Sequence, residues 1–429
     1  MNRIMAFVQR YKSYITVFSF TLIGHALGFG REVSIAFLFG ASSVSDGILI
    51  GLAPLTFFFG IFCYAYANAA MTRIRTPDND LLIEQTLYPI LIVAALVAVV
   101  FLTLNEQMVS LFAPGLEGEG KELANQIVMF SAVSAGLSAV FYWAKGIRHL
   151  EQSFLRVSIS ELMPNIGTFI GILLLYKVMG AMGIAIGITL GFFLQFAVVF
   201  DPKRINLKGF SWAAMTTPDA KIIYKNTWYA AIGVSTIITS LFVDRYFASE
   251  LGEGNVAAIN FAYKVMTLPL YTAVFAIVIV LYPKLIALRD KHAEFAAVKF
   301  KINVVVVALS AVASLVLMLA STEIISLLFQ YGEFDASDVA MTAPLLVAYG
   351  AGLIAHGLVL FNAKVRFALE DFKTPLRAGL AATVVNIVLD IILVEHYGAQ
   401  GLAVATSVAT AVQACILLFG GFKGRSAAV

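Results

Sequence analysis

Residues 82–104 read LIEQTLYPILIVAALVAVVFLTL, and after Glu84 no charged side chain interrupts the run. About 20 mostly apolar residues suffice for a helix to cross the hydrocarbon core of a bilayer. Working outward, runs of this length and apolarity recur along the chain. We expect about twelve spans, at 13–34, 44–71, 82–104, 123–144, 157–177, 180–200, 222–247, 255–283, 300–320, 337–363, 374–395 and 398–422.

Composition agrees. Of 429 residues, 60% are hydrophobic and 13% charged, whereas a soluble domain is about a quarter charged. A single soluble core stops growing near 250–300 residues, so this much apolar surface calls for lipid as its solvent. Lipid offers the backbone no hydrogen-bond partner, and the alternation of a β-barrel is missing, so an all-α polytopic bundle follows. The net charge of +3 makes no case for a nucleic-acid partner. Cys63 and Cys415 both sit in apolar runs and form no disulfide framework. The first apolar run lacks a small-residue cleavage pattern and reads as a retained helix.

Lys and Arg orient the bundle. Counting loops alternately, one side collects 24 of the 29 basic residues, leaving Arg31, Lys121, Lys177, Arg245 and Lys264. By the positive-inside rule both termini are cytoplasmic, in a multi-pass protein of a bacterial inner membrane. The opposite loops are short and acidic, with Glu117, Glu119 and Glu122, then Glu333, Asp335 and Asp338. No loop exceeds about 25 residues, too few for a catalytic domain of ~50 or more. Any activity lies among the helices.

The chain repeats itself. Gly180-Ala-Met-Gly183-Ile-Ala-Ile186 matches Gly398-Ala-Gln-Gly401-Leu-Ala-Val404 at an offset of 218, each after an apolar helix with an Asn, Asn165 or Asn386. Val109-Ser-Leu111 matches Ile325-Ser-Leu327, and Gly40 with Val44 matches Gly252 with Val256. Ordered matches at near-constant offsets suggest two parallel pseudo-symmetric six-helix lobes around a central cavity. The N-lobe takes residues 1–200, a basic cytoplasmic linker 201–221, and the C-lobe 222–429.

Charges inside spans mark function, because each costs at least ~2.5–3.5 kcal/mol at the bilayer centre. They include His25, Arg31, Glu32, Asp46, Glu161, Lys264 and Asp390, with Asp244 and Arg245 near a span end. Arg31 and Lys264 are read as cavity cations for a diphosphate, Arg offering a planar fork of donors and Lys a point charge. Arg31 paired with Glu32, or Lys264 snorkelling, is the plainer alternative. Asp46 could pair with Arg31, cap a helix or contact substrate. Asn386 and Asp390, four apart, share a helix face, with Thr406 on the next helix and Asp244 in reach. Their oxygens suit a hard cation such as sodium; a proton on Asp390, or a plain helix–helix hydrogen-bond cluster, are the other readings. Pro54, Pro164, Pro269 and Pro344 fall inside spans and imply kinks.

Several stretches carry a resemblance: Leu27-Gly-Phe-Gly-Arg-Glu32, Phe39-Gly-Ala41 with Ser45-Asp46, Leu111-Phe-Ala-Pro-Gly115, Ala262-Tyr-Lys-Val-Met-Thr-Leu-Pro269, Leu328-Phe-Gln-Tyr-Gly-Glu-Phe334 and Asp371-Phe-Lys-Thr-Pro375. Through them the chain resembles the MurJ/MviN lipid II flippases of the multidrug/oligosaccharidyl-lipid/polysaccharide exporter superfamily, over nearly its whole length. The resemblance implies a flippase that moves an undecaprenyl-diphosphate-linked saccharide between leaflets by alternating access. It implies a cavity lined by Arg31, Glu32 and Lys264, with His25 at a further basic position, and sodium on Asp244, Asn386, Asp390 and Thr406. No organic cofactor is implied, and the coupling ion is Na+ or H+. The expected partners are the lipid-linked glycan and membrane lipids, with the chain acting as a monomer. Two features depart from the family pattern: Thr56-Phe-Phe-Phe59 replaces basic residues, and the family commonly has fourteen helices. An exopolysaccharide or O-antigen-unit flippase, or a cation-coupled multidrug antiporter, are the alternatives.

Overall fold

The computed structural model describes residues 2–74, 80–201, 215–274, 291–369, 371 and 373–420, with 277, 281, 285, 287 and 288 between. Among the described residues the chain is helical, with no strand. The long helices are α1 (Asn2–Phe39), α2 (Ser43–Ile74), α3 (Asp80–Thr103), α4 (Gly118–Leu150), α5 (Phe154–Met179) and α6 (Ala181–Val199). They continue as α7 (Pro218–Ser249), α8 (Asn255–Pro269), α9 (His292–Leu319) and α10 (Ala336–Ala368). A final run, Lys373–Phe419, breaks at Gly398 into α11 (373–397) and α12 (399–419). Each of the twelve expected spans thus meets a helix; the end of the span 255–283 and most of the linker 201–221 lie outside the described residues. Nine of these helices, the final run taken as one, are long and apolar enough to cross a membrane.

Local chemistry sets the ends. Ser42 accepts from the Ser45 amide at the start of α2. Asp335 and Asp338 form a capping box that opens α10. Gly180 (φ 59°, ψ −145°) and Gly398 (φ 53°, ψ −138°) take a positive-φ backbone that glycine reaches readily, and it ends α5 and α11.

The described chain divides into two compact units. Unit 1 comprises Met1–Ile238, Gly252–Ala257 and Tyr331–Phe334; unit 2 comprises Thr239–Leu251, Ala258–Gln330 and Asp335–Val429. In unit 1, Thr86 of α3 joins α2 to α4: its carbonyl accepts from the Tyr66 hydroxyl at 2.7 Å, and its hydroxyl from Trp143 Nε1 at 3.1 Å. Ile61 and Ala65 of α2 pack on Ala231 of α7. The α5 and α6 backbones meet through glycines at four-residue spacing; a Cβ on Gly167 would lie 2.3 Å from the Gly187 carbonyl oxygen. Small residues of this kind drive helix association where lipid competes equally for apolar surface. In unit 2, hydroxyls and amides do the same: Ser314 donates to Gly350 O at 2.7 Å, Asn362 to Asn303 Oδ1 at 2.8 Å, and Ser407 to Ala348 O at 2.8 Å.

The repeat reappears as geometry. Arg148 donates to the Val199 carbonyl at 3.0 Å, and Arg366 to the Leu417 carbonyl at 3.1 and 2.8 Å, both partners displaced by the same 218 residues. A π-helical segment opens at Phe58 in α2 (Phe58–Cys63), and another at Leu270 directly after α8 (Leu270–Val274). A further π segment, Gly171–Leu175, interrupts α5. Such wide turns are rare and cluster at functional positions.

Candidate functional site

In unit 1, Arg31 lies on α1 with its side chain 25% exposed, and its Nη2 pairs with the fully buried Glu32 carboxylate at 2.5 Å. Adjacent helical residues do not face each other, yet the long guanidinium stem reaches back. The buried carboxylate therefore has its counter-ion beside it, which a lone buried charge requires. The plainer pairing expected for Arg31 is present, and a quarter of the side chain stays open. His25, six residues earlier on the same helix, is exposed. Asn165 of α5 ties its amide to the Gly24 carbonyl at 3.3 Å, fixing this part of α1.

Asp46 is 2% exposed, and its two oxygens have separate duties. Oδ2 accepts from the Gly254 amide and Oδ1 from the Ala257 amide, both at 2.7 Å. The side chain therefore caps the first turn of α8 from a different helix, satisfying amides that a helix start leaves unpaired. Of the three roles considered for Asp46, this is the one its contacts fill.

Unit 2 brings four of the expected residues together. Thr406 of α12 donates its hydroxyl to Asp244 Oδ2 at 2.8 Å. The Asn386 amide of α11 lies 3.3 Å from Asp244 Oδ1, 3.3 Å from Asp390 Oδ1 and 3.5 Å from Thr406 Oγ1. Asp244 and Asn386 are 1% exposed and Asp390 0%. Two oxygens of the group, Asn386 Oδ1 and Asp390 Oδ2, are buried without a hydrogen-bond partner. Buried acceptors such as these are costly to leave unsatisfied and take a proton, a water or an ion. Two carboxylates, an amide oxygen and a hydroxyl fit a hard monovalent cation. Among the described residues no three His, Cys, Asp or Glu side chains gather as metal ligands.

Lys264 of α8 is half-buried in unit 2, and the Thr267 hydroxyl bonds its carbonyl oxygen at 2.8 Å. Its neighbour Tyr263 meets the Tyr349 ring at 5.5 Å. His356 lies 3.4 Å from the Thr410 hydroxyl, which donates at 2.8 Å to the carbonyl of Thr406, so Thr410 stands between it and the four-residue cluster. A recess of about 470 Å³ in the same unit, with Ser321, Thr322, Pro344 and Gln400 in its wall, includes none of the expected residues.

Reading the sequence overlooked the two arginine clamps. Arg148 and Arg366 were grouped with the cytoplasmic basic residues, although they are 7% and 1% exposed. The signal was available: both pairs of partners obey the 218-residue offset.

The profile of the family described as lipid II flippase MurJ matches residues 35–424. A lipid II flippase MurJ of Burkholderia cenocepacia is 26% identical over 97% of this chain and 84% of its own length. A solved structure described as lipid II flippase MurJ in an inward closed conformation superposes with a TM-score of 0.81 at 23% identity, covering 94% of this chain and 87% of that one. An inward-facing multidrug resistance transporter of the MATE family, in the MOP superfamily, has the same fold at a TM-score of 0.69 and 16% identity, covering 92% and 93% of the two chains. The chain is a multi-pass helical membrane protein, and it belongs to the MurJ family of lipid II flippases.

Proposed function

We propose that this protein carries lipid II, an undecaprenyl-diphosphate-linked saccharide, from the inner to the outer leaflet of the bacterial cytoplasmic membrane. The observation that most supports this reading is the family match across residues 35–424. Alternating access of the two halves, 1–200 and 222–429, moves the head group, and no covalent bond is made or broken. The chain acts as a monomer with both termini cytoplasmic, a reading supported by the one-sided distribution of Lys and Arg.

Arg31 and Lys264 supply positive charge for the diphosphate. Glu32 holds the Arg31 guanidinium in one orientation while its remaining N–H groups are offered to phosphate oxygens. His25, exposed on the same helix, adds a third donor. Asp244, Asn386, Asp390 and Thr406 would hold a sodium ion, which would offset one of the two buried carboxylate charges. A proton on Asp390 is the alternative coupling species.

The test is complementation of a strain depleted of its own lipid II flippase, combined with leaflet exposure of labelled lipid II. Rescue of growth is expected, with exposure lost in Arg31→Ala and Lys264→Ala. Unchanged exposure in both variants would remove these residues from the reading. Failure to rescue, with export of a different lipid-linked oligosaccharide, would move the substrate to a surface glycan unit. Thr56-Phe-Phe-Phe59, aromatic where the resemblance led us to expect basic residues, favours keeping that second reading in view.

A further inference from the structure

Unit 1 contains a group of rings and one ion pair that neither the Arg31–Glu32 pair nor the Asp46 cap uses. Phe59 of α2 stacks on Tyr142 of α4, with centroids 6.0 Å apart and planes at 22°. Phe59 also meets Phe192 of α6 at 5.8 Å, and Tyr64 stands edge-on to Tyr142 at 6.3 Å. Lys145 Nζ lies 5.6 Å from the Tyr142 ring and 6.0 Å from Phe141, and pairs with the Glu161 carboxylate of α5. Three helices thus contribute rings to one aromatic wall, and α5 adds Glu161 to its charged foot. Phe59 is near the middle of α2, about 22–24 Å from either end at 1.5 Å per residue, so the wall runs from mid-span down to the ion pair.

The wall is open. Tyr64 is 44% exposed, and the Glu161 and Lys145 side chains are 46% and 20% exposed. Glu161 lies seven residues into α5, about 10 Å from its start. Its partner Lys145 belongs to the basic residues counted on the cytoplasmic side, so the pair lies toward the cytoplasmic end of the span, in reach of water. A structural role explains the cation–π contact of Lys145. It leaves the open Tyr64 ring and the exposed side of the Glu161 carboxylate without a packing role.

Aromatic faces beside one hydrogen-bond donor and one acceptor of opposite charge suit a pyranose ring. The C–H face of the sugar lies on the exposed Tyr64 ring, which the Phe59–Tyr142 stack backs, while hydroxyl and amide groups reach the ammonium and the carboxylate. We propose that Phe59, Tyr64 and Tyr142, with the Lys145–Glu161 pair, form a subsite that binds the saccharide of the lipid-linked substrate. The inference rests on the flippase reading above and assigns it a part that Arg31 and Lys264 do not cover. Those cations address the diphosphate, whereas this wall distinguishes a sugar-bearing lipid from a bare one.

The test measures binding of two probes, lipid II and sugar-free undecaprenyl diphosphate, to the full chain in nanodiscs. Tyr64→Ala is expected to weaken lipid II binding about fivefold, from the loss of one aromatic contact. Glu161→Gln is expected to weaken it about tenfold, from the loss of a charged acceptor. Affinity for undecaprenyl diphosphate stays within twofold in both variants, which also reports that they are folded. Equal losses on both lipids, or no loss on lipid II, would overturn the subsite. A wild-type chain that bound undecaprenyl diphosphate but gained nothing from the sugar would also overturn it while leaving the diphosphate cations standing. If wild type bound neither lipid, the flippase reading and the subsite would fall together.

Discussion

The guanidinium of Arg366 donates twice to the carbonyl oxygen of Leu417, at 3.1 and 2.8 Å, while its remaining nitrogen pairs with Asp371 at 3.2 Å. At 1% exposure this side chain gathers the end of α12 and the turn after α10 around one planar group. The geometry requires a fork of donors, which lysine lacks. Arg366→Ala is expected to destabilise the protein by about 2–3 kcal/mol, because it strands buried acceptors of a charged donor. Arg366→Lys should recover less than half of the loss, and Arg148→Ala should cost less than Arg366→Ala, since Glu151 and Asp201 remain 20% and 32% exposed. Thermal unfolding in detergent checks the series; an Arg366→Lys variant melting like wild type would contradict the fork argument.

Asp46 divides its two oxygens between two amides, so its substitutions should form a graded pair. Asp46→Asn keeps one acceptor oxygen and loses the other. Asp46→Ala loses both and is expected to cost up to about 2 kcal/mol, with Asn near half of that. Hydrogen exchange at Gly254 and Ala257 should rise in the same order. Equal protection in all three proteins would show that the cap contributes nothing.

The four-residue cluster of unit 2 makes a salt-specific prediction. Sodium chloride should raise the melting temperature of wild type more than potassium or choline chloride at equal ionic strength. A ligand at 100 times its Kd adds about 2.7 kcal/mol to the stability of the state that binds it. The sodium increment should vanish in Asp390→Ala and in Asp244→Ala. An increment equal for all three salts, or one that persists in both variants, would remove sodium from the cluster.

Asp371 supplies a pH dependence outside the spans. Partial burial pushes its carboxyl up, but hydrogen bonds from the Thr374 hydroxyl and amide, together with the Arg366 guanidinium, outweigh this and hold it below the ordinary carboxylate value. A carboxyl depressed in the folded state contributes stability fully above its unfolded value, and that contribution is lost as pH falls through the folded one. Wild type should therefore lose more stability than Asp371→Asn as pH drops below about 4, the ordinary aspartate value. Parallel melting curves for the two proteins across that window would refute this.

Fold class and helix positions were legible because lipid enforces length and apolarity on each span separately, as in residues 82–104. Asp244, Asn386, Asp390 and Thr406 were legible for a related reason: polar side chains inside apolar runs are few, and the spacing of four puts Asn386 and Asp390 on one face. Asp46 was ambiguous because its partners are backbone amides 208 and 211 positions away, which no local pattern announces. The aromatic wall was hidden for the opposite reason. Phe59, Tyr64 and Tyr142 are ordinary residues of membrane helices, and only the fold sets them against Lys145 and Glu161. Arg148 and Arg366 were misjudged because a basic residue near a span end usually snorkels into the headgroups, whereas these two turn inward to carbonyl oxygens.

The wide turn at Phe58–Cys63 has a consequence for phase. In an unbroken α-helix, Thr56 and Tyr64, eight positions apart, would point about 80° away from one another at 3.6 residues per turn. A π segment absorbs roughly one surplus residue, so the pair behaves as if seven apart and returns to within about 20°. Both side chains are indeed exposed. A single-residue deletion inside Phe58–Cys63 would remove the surplus residue and let the segment close as a regular α-helix, leaving Thr56 and Tyr64 within about 20° of one another. In this helix the wide turn takes up one residue of length without changing azimuth, so a variant shortened by one residue there should remain well inserted with both flanks facing as before.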